Sequence, residues 1–432
     1  MVPKPGDVVE IRKGEITYRG TVLSRTEEIP DNVLVIKLKN GYNIGIKITP
    51  ETEIRILEKG EPPKKYSAPV KVEEHKDRPT AALVATGGTI AARVDYKTGG
   101  VVADFTAEDF LLSFPEIAEL ANLRLLQTSN IASEDMMPEY WVRAAEGIVK
   151  MIRSGVDGVV VTHGTDTMHY TAAFLSFALQ NVPVPVVLVG AQRSSDRPSS
   201  DAAINLLNAI NVAVNSDLAG TFIVMHESMD DKYCTIHPGT RARKMHTSRR
   251  DTFKTIGDKP VGRSFVLAKA GHVIEERIEI WRDEFRKRGR KGFKPIIKVN
   301  PNAFLLKVFP GLRKDMFEKI LLEHDGVIIE GTGLGQVRYE LAPIIGEATE
   351  SGVFVGVTPQ PLFGRVHPHV YAAAVKMAEN GAVFLEDMPP ETALVKLMWA
   401  LGQTKDREKI KEIMLTNYAG EITERSRPDA FW

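Results

Sequence analysis

Ala81-Ala-Leu-Val-Ala-Thr-Gly-Gly-Thr-Ile-Ala91 and Gly158-Val-Val-Val-Thr-His-Gly-Thr-Asp-Thr-Met168 are built alike: an apolar run stops at a cluster of glycine and hydroxyl residues. Runs of four or five apolar residues bounded by glycine suit strands buried on both faces. Val184-Pro-Val-Val-Leu-Val189 and Thr221-Phe-Ile-Val-Met225 continue the series, and a helix-like stretch runs from Thr167 to Gln180. Strands of this kind alternating with helices predict a parallel sheet covered on both sides. In such sheets ligands bind beyond the carboxyl ends of the strands, where both clusters fall.

A second strand–helix series follows, with Phe304-Leu-Leu-Lys-Val308, Gly326-Val-Ile-Ile-Glu330 and Val353-Phe-Val-Gly-Val357. Its last long helix is expected over about 390–402. Between the two series, Glu275 to Lys294 is crowded with charge, including Arg286-Lys-Arg288 and Arg290-Lys291. This stretch reads as a connector with a solvated surface, or as a contact for a partner or an RNA phosphate. The chain therefore divides into an α/β domain over 79–272, a charged connector over 273–296 and a second α/β domain over 297–432.

Ahead of them lies different material. Val33-Leu-Val-Ile-Lys-Leu-Lys39 and Tyr42-Asn-Ile-Gly-Ile-Lys-Ile48 flank Asn40-Gly41, a strong hairpin signal because both turn residues accept positive φ. Gly6 to Ile11 and Tyr18 to Leu23 suggest two more strands. Residues 1–58 thus read as a small SH3- or tudor-like β-barrel, a docking module or an RNA contact. Residues 59–78, with Gly60-Glu-Pro-Pro63 and a charge-rich tail, have linker composition.

Composition narrows the function. The 432 residues carry 56 basic and 56 acidic side chains, so no global charge argues for a nucleic-acid coat. The lone cysteine, Cys234, cannot form an intrachain disulfide. No apolar stretch reaches the roughly 18–20 residues of a membrane span, and the first residues lack a signal-peptide core, so a cytoplasmic chain is expected. There is no phosphate-binding Gly-x-x-x-x-Gly-Lys-[Ser/Thr] segment. His367-Pro-His369 lacks a third ligand at usual spacing, and no metal is expected.

Three segments carry the chemistry. In Thr86-Gly87-Gly88-Thr89-Ile90-Ala91 the glycines either make a tight turn or free backbone N–H groups to hold an oxyanion. In Thr162-His163-Gly164-Thr165-Asp166-Thr167-Met168 the aspartate either caps a helix or faces a ligand. Arg241-Ala-Arg-Lys244 and the residues to Lys254 read alone as a basic surface loop, although a buried lysine near an aspartate can act as a base.

Together these segments resemble the bacterial-type L-asparaginase/glutaminase family, whose two signature segments are Thr-Gly-Gly-Thr-Ile-Ala and His-Gly-Thr-Asp-Thr-Met. The resemblance covers about 80–416 and includes Gly402-Gln-Thr-Lys-Asp406. It implies a fold of two α/β domains and an acyl-threonine mechanism without metal. It implies that Thr89 is the nucleophile, that Thr165, Asp166 and Lys244 complete the catalytic set, and that Gly88 lends backbone to the oxyanion site. It places Tyr96 on a loop over the site, Ser133 on the substrate's α-carboxylate and Asp166 on its α-amino group. Glu134 departs from the glutamine of several bacterial asparaginases, which leaves the substrate preference open. The family's assembly implies a homodimer at least.

The β module ahead of such a core is similar to the D subunits of archaeal glutamyl-tRNA(Gln) amidotransferases. That resemblance implies a glutaminase supplying ammonia to a partner E subunit, which binds ATP and Mg and converts Glu-tRNA(Gln) to Gln-tRNA(Gln). No cofactor is then expected in this chain. The alternatives are a free-standing L-asparaginase with an added β domain, a cysteine-type glutaminase using Cys234 near His237, and an RNA-binding scaffold without chemistry.

Overall fold

The computed structural model describes residues 3–23, 30, 32–39, 42–60, 75–87, 114–193, 199–269, 271–289 and 291–430, and the backbone of 92–94 and 101–103. Five strands form the leading domain: β1 (Val8–Lys13), β2 (Ile16–Val22), β3 (Val33–Leu38), β4 (Asn43–Lys47) and β5 (Glu53–Glu58). They make one antiparallel sheet in the order β4-β3-β2-β1-β5. Alternation along the strands turns Val9, Ile11, Val22, Ile36 and Ile46 into a small core. β3 and β4 pair as the hairpin signal predicts, with Leu38 N–H donating to Tyr42 O at 2.8 Å, while the turn residues Asn40 and Gly41 lie outside the described residues.

The first α/β domain is organised by an eight-stranded sheet. Its strands are β6 (Thr80–Gly87), β9 (Asn122–Ile131), β10 (Gly158–Thr162), β11 (Pro185–Val189), β12 (Gly220–His226), β13 (Cys234–Pro238), β16 (Gly262–Lys269) and β17 (His272–Ile280). Two short ribbons lie outside it: β7 (Ala92–Val94) with β8 (Val101–Ala103), and β14 (Ala242–Lys244) with β15 (Phe253–Thr255). The order is β17-β16-β13-β12-β11-β10-β6-β9. The five strands from β9 to β12 are parallel, as the apolar runs predict. Three antiparallel strands extend them, and this part of the sheet was not legible as parallel pairing.

The charged stretch placed in a connector over 273–296 needs correction. Residues 272–280 are β17, paired along its length with β16. It reads as linker because an edge strand with two partly exposed faces tolerates charge on both. Nor is the arginine cluster beyond it simply solvated. Arg288 donates to the carbonyls of Ser216, Asp157 and Ala213, and Arg286 to that of Tyr418.

The helices cover the sheet: α1 (Ile117–Leu120), α2 (Pro138–Arg153), α3 (Met168–Ala178) and α4 (Ala202–Asn215). The second α/β domain has the parallel sheet β18 (Ala303–Lys307), β19 (Gly326–Gly331), β20 (Phe354–Pro359) and β21 (Val383–Phe384). Its helices are α5 (Lys314–Leu322), α6 (Ala342–Glu350), α7 (Ala372–Glu379), α8 (Pro390–Leu401) and α9 (Arg407–Leu415). No helix among the described residues is long and apolar enough to cross a membrane.

Helix α3 is apolar on nearly every face because it lies between the first sheet and α8. Phe177 stacks on Trp399 with ring centroids 5.8 Å apart, and the Trp399 indole N–H donates to Ile296 O at 2.9 Å. The two α/β domains therefore share a core across this contact.

Lys396, in the middle of α8, is fully enclosed with Glu421 at 2.6 Å. The ammonium also donates to Met414 O at 3.0 Å and Thr416 O at 2.6 Å, while Glu421 accepts from the N–H groups of Tyr418 and Ala419. A buried ion pair repays its desolvation only when the remaining donors and acceptors are matched in this way. Glu421→Gln leaves the ammonium without its counter-charge, so unfolding by denaturant should show a loss of about 3–5 kcal/mol, much of it recovered in Lys396→Met/Glu421→Gln. A single variant within about 1 kcal/mol of the parent would contradict this account.

Candidate active site

The order β9-β6-β10-β11-β12 places the topological switch of the parallel sheet between β6 and β10, because the chain leaves β6 toward β9 and returns on its other side. Ligands bind in the crevice beyond such a point. The two motif segments follow these two strands. Thr86 joins their ends, its hydroxyl donating to Thr162 O at 2.8 Å.

Backbone demands explain the glycines. Gly87 has φ of +116°, and a Cβ there would lie 2.3 Å from Ile131 O on the neighbouring strand. A Cβ on Gly164 would lie 2.5 Å from the Cβ of Ser133. The absence of a side chain at Gly164 thus lets the β9–α2 connection close on the loop after β10. Thr167 secures the approach by donating to Ser133 O at 2.7 Å.

Asp166 is not a helix cap. Helix α3 starts at Met168 without a side-chain capping bond, and the carboxylate turns elsewhere. Its Oδ1 accepts from Lys244 Nζ at 2.5 Å and its Oδ2 from Ser133 Oγ at 3.2 Å. Lys244 also donates to Thr165 Oγ1 at 2.9 Å. Lys244 reaches the site from the end of β14, so the segment that read as a basic surface loop delivers a mostly buried ammonium to a carboxylate. The Lys244 hydrogen bond is the main reason the Asp166 carboxyl lies below its ordinary value.

Thr165, Asp166, Lys244 and Ser133 thus converge, with Ser133 and Thr165 buried and Asp166 keeping 62% of its side chain exposed. Glu134 is exposed in the short turn Ser133–Asp135. Gly88, Thr89 and Tyr96 lie outside the described residues. Sequence reasoning attached no role to Thr86, Thr167 or Arg241. Their signal was present only as membership of the motif segments, since each acts on a residue far along the chain or on backbone.

Cys234 does not resemble a nucleophile. It is buried, its thiol pushed up by burial, and its Sγ lies 3.5 Å from Asn205 Oδ1. His237 instead places Nδ1 2.9 Å from Thr255 Oγ1. Among the described residues no group of three or more His, Cys, Asp or Glu could hold a metal.

His163 is enclosed and neutral. Its Nδ1–H donates to Gly164 O at 2.7 Å, so Nε2 accepts from the Thr171 hydroxyl at 2.8 Å. Burial lowers its pKa from 6.5 to about 4, and burial with the nearby Arg243 lowers that of His169 to about 3. The unfolded chain therefore takes up protons below pH 6.5 that the folded chain refuses. Stability should fall as pH drops through this window, and the loss attached to His163 should be complete near pH 4. Melting curves should show a shallower decline for His163→Asn, whose amide can keep the bond to Gly164; an unchanged slope would remove His163 as a source.

Three family models match the chain: the GatD N-terminal domain over 3–57, the asparaginase N-terminal domain over 80–277 and the glutaminase/asparaginase C-terminal domain over 302–414. The D subunit of the glutamyl-tRNA(Gln) amidotransferase of Thermococcus kodakarensis is 47% identical over 99% of this chain and 96% of its own length. That of Pyrococcus furiosus is 46% identical over 98% and 95%. Among solved structures, the thermostable L-asparaginase from Thermococcus kodakarensis superposes with a TM-score of 0.69 at 31% identity, covering 80% of this chain and all of its own. L-asparaginase I from Vibrio cholerae gives 0.67 at 28%, covering 80% and 99%. With an asparaginase-type core and the leading domain matched over nearly the whole length, the chain belongs to the family of glutamyl-tRNA(Gln) amidotransferase D subunits.

Proposed function

We propose that this chain, as the amidohydrolase component of a tRNA-dependent amidotransferase, hydrolyses glutamine through an acyl-threonine intermediate. The observation that carries the proposal is Lys244 Nζ bonded to both Thr165 Oγ1 and Asp166 Oδ1 beside the switch point. A threonine hydroxyl is a weak nucleophile without a neighbouring base. Thr89 attacks the side-chain amide carbon as its proton passes to Thr165, the Thr165 proton to Lys244 and a Lys244 proton to the Asp166 carboxylate, a relay that runs back to protonate the leaving nitrogen. The C–N bond then breaks and the protonated nitrogen leaves as ammonia. Water cleaves the acyl-threonine, releasing glutamate and returning the hydroxyl. Backbone N–H groups near Gly88 and Thr165 stabilise the oxyanion, about 3–4 kcal/mol for one well-placed donor.

Substrate recognition follows from the remaining groups. Asp166, exposed on one side, takes the α-amino group of glutamine, and Ser133, its hydrogen-bond neighbour, takes the α-carboxylate. Tyr96 closes over the substrate and Glu134 tunes the preference for glutamine. The ammonia passes to the partner E subunit, which uses ATP and Mg to aminate Glu-tRNA(Gln); this chain itself needs no cofactor. The assembly is cytoplasmic and contains this chain as a homodimer. The leading domain favours this reading over a free-standing asparaginase.

Ammonia release from glutamine and from asparagine tests the proposal, with and without the E subunit and Glu-tRNA(Gln). Glutamine turnover should rise with both additions. Thr89→Ala should abolish it, and Lys244→Met should lower kcat by about 10²–10⁴-fold. Rapid asparagine hydrolysis indifferent to the additions would make this chain an asparaginase, and an active Thr89→Ala would end the acyl-threonine mechanism.

A further inference from the structure

Lys244 stands on weak local support. Its strand, β14, has three residues and, among the described residues, pairs only with β15, outside the eight-stranded sheet. Yet its ammonium must meet two acceptors on the loop after β10 at once. Its own domain adds the bonds of Arg241 N–H to Pro238 O and of Ile256 N–H to Arg241 O, and further ties to the backbone come from the other α/β domain.

Arg241, the residue before β14, is 1% exposed. Its Nη2 donates to Asp387 Oδ2 and its Nη1 to Asp387 O, both at 3.0 Å, while Nε donates to Gly420 O at 3.0 Å. One rigid, planar fork is therefore matched on three sides by the second domain and the chain's last segment. Thr240 is held from both ends: its hydroxyl donates to Ala419 O at 3.0 Å and its carbonyl accepts from Thr392 Oγ1 at 2.8 Å. On the strand itself, Arg243 pairs with Glu391 at 3.0 Å at the start of α8. The anchor of Gly420 is itself tied down, because Glu421 is buried against Lys396 in the same helix. An extended chain rises about 3.3 Å per residue, so Arg241 fixes the strand roughly 10 Å from Lys244.

We propose that Arg241 and Glu391 are positioning residues: through them the second α/β domain sets the backbone that aims Lys244 at Thr165 and Asp166. The proposal rests on the reading of Lys244 as the proton-transfer group. A buried ion pair such as Arg241–Asp387 need not add net stability, and the specific seating of β14 gives it a different use. A displacement of Lys244 has a signed consequence. Among the described residues the titratable groups facing Asp166 are Lys244 and His169, and the Lys244 bond is what chiefly keeps the Asp166 carboxyl ionised to low pH. Loosening that bond moves the acid limb of activity to higher pH.

The test uses the full chain with glutamine, measuring ammonia release across pH together with thermal melting. Arg241→Lys keeps the charge but loses the fork, and Glu391→Gln cuts the second tie at a less deeply buried site. Each should lower kcat about 10–100-fold, the scale of an ångström of misplacement, with KM within about three-fold and the acid limb shifted upward. Lys259→Gln removes a half-exposed ion pair with Asp429 on the same terminal segment and should leave both readouts at the parent values. If Arg241→Lys does not fold, Glu391→Gln carries the test. A lowered melting temperature with unchanged kcat and acid limb would make these contacts plain domain cement and overturn the proposal. Lys244→Met separates the two readings: if it stays active, the role of Lys244 falls and the brace with it, whereas if it is inactive while both brace variants behave as the parent, only the brace falls.

Discussion

The contact between the Lys244 ammonium and the Asp166 carboxylate is the constraint around which the described site is built. At 2.5 Å it is a short, charge-assisted hydrogen bond. It lies at the water's edge, with Asp166 mostly exposed, and exposed pairs contribute little to folding, typically below about 1 kcal/mol. Its importance is geometric. The bond joins the loop after a central parallel strand to a short ribbon outside the sheet, and leaves the second carboxylate oxygen to Ser133 from a third segment. Three parts of the chain must arrive together for the four polar groups to meet.

Each arrival has its own physical cause. The parallel strands β6 and β10 end side by side because the sheet reverses its order there. The connection carrying Ser133 can approach only because residue 164 has no side chain. The ribbon carrying Lys244 is seated by hydrogen bonds from another domain. The shared core between α3 and α8 makes that last arrangement stable, since it fixes the second domain against the helix that follows the motif. Packing far from the site and polar geometry within it are thus parts of one construction.

The leading domain is different in kind. Among the described residues its core of five buried aliphatic side chains is small, as expected for a module of this length. Asp7 ties its start to its end by accepting from the N–H groups of Lys4 and Gly60 at 2.8 Å, which keeps its carboxyl below the usual range. Such a domain is held together by local closure more than by volume of core. In this chain it is also the feature that separates an amidotransferase component from an asparaginase with a similar catalytic fold.

The sequence by itself determined the parallel strands, the helix 390–401, the leading hairpin and the motif segments, because each depends on neighbours along the chain: apolar runs, turn residues that accept positive φ, and glycines at strand ends. It also identified Thr165, Asp166, Lys244 and Ser133 as a group, through resemblance of motifs rather than through any local pattern. Tertiary structure decided the rest. β17 carries charge on both faces and shows no alternation to read. Arg241, Arg288 and Lys396 are charged residues whose local context points to solvent, yet each is drawn inward by carbonyls or a carboxylate supplied from elsewhere. Lys244 meets Asp166 across 78 positions and Arg241 meets Asp387 across 146. A charged side chain carries no record of a partner that distant, since burial becomes favourable only when the fold has brought the matching groups within hydrogen-bond reach.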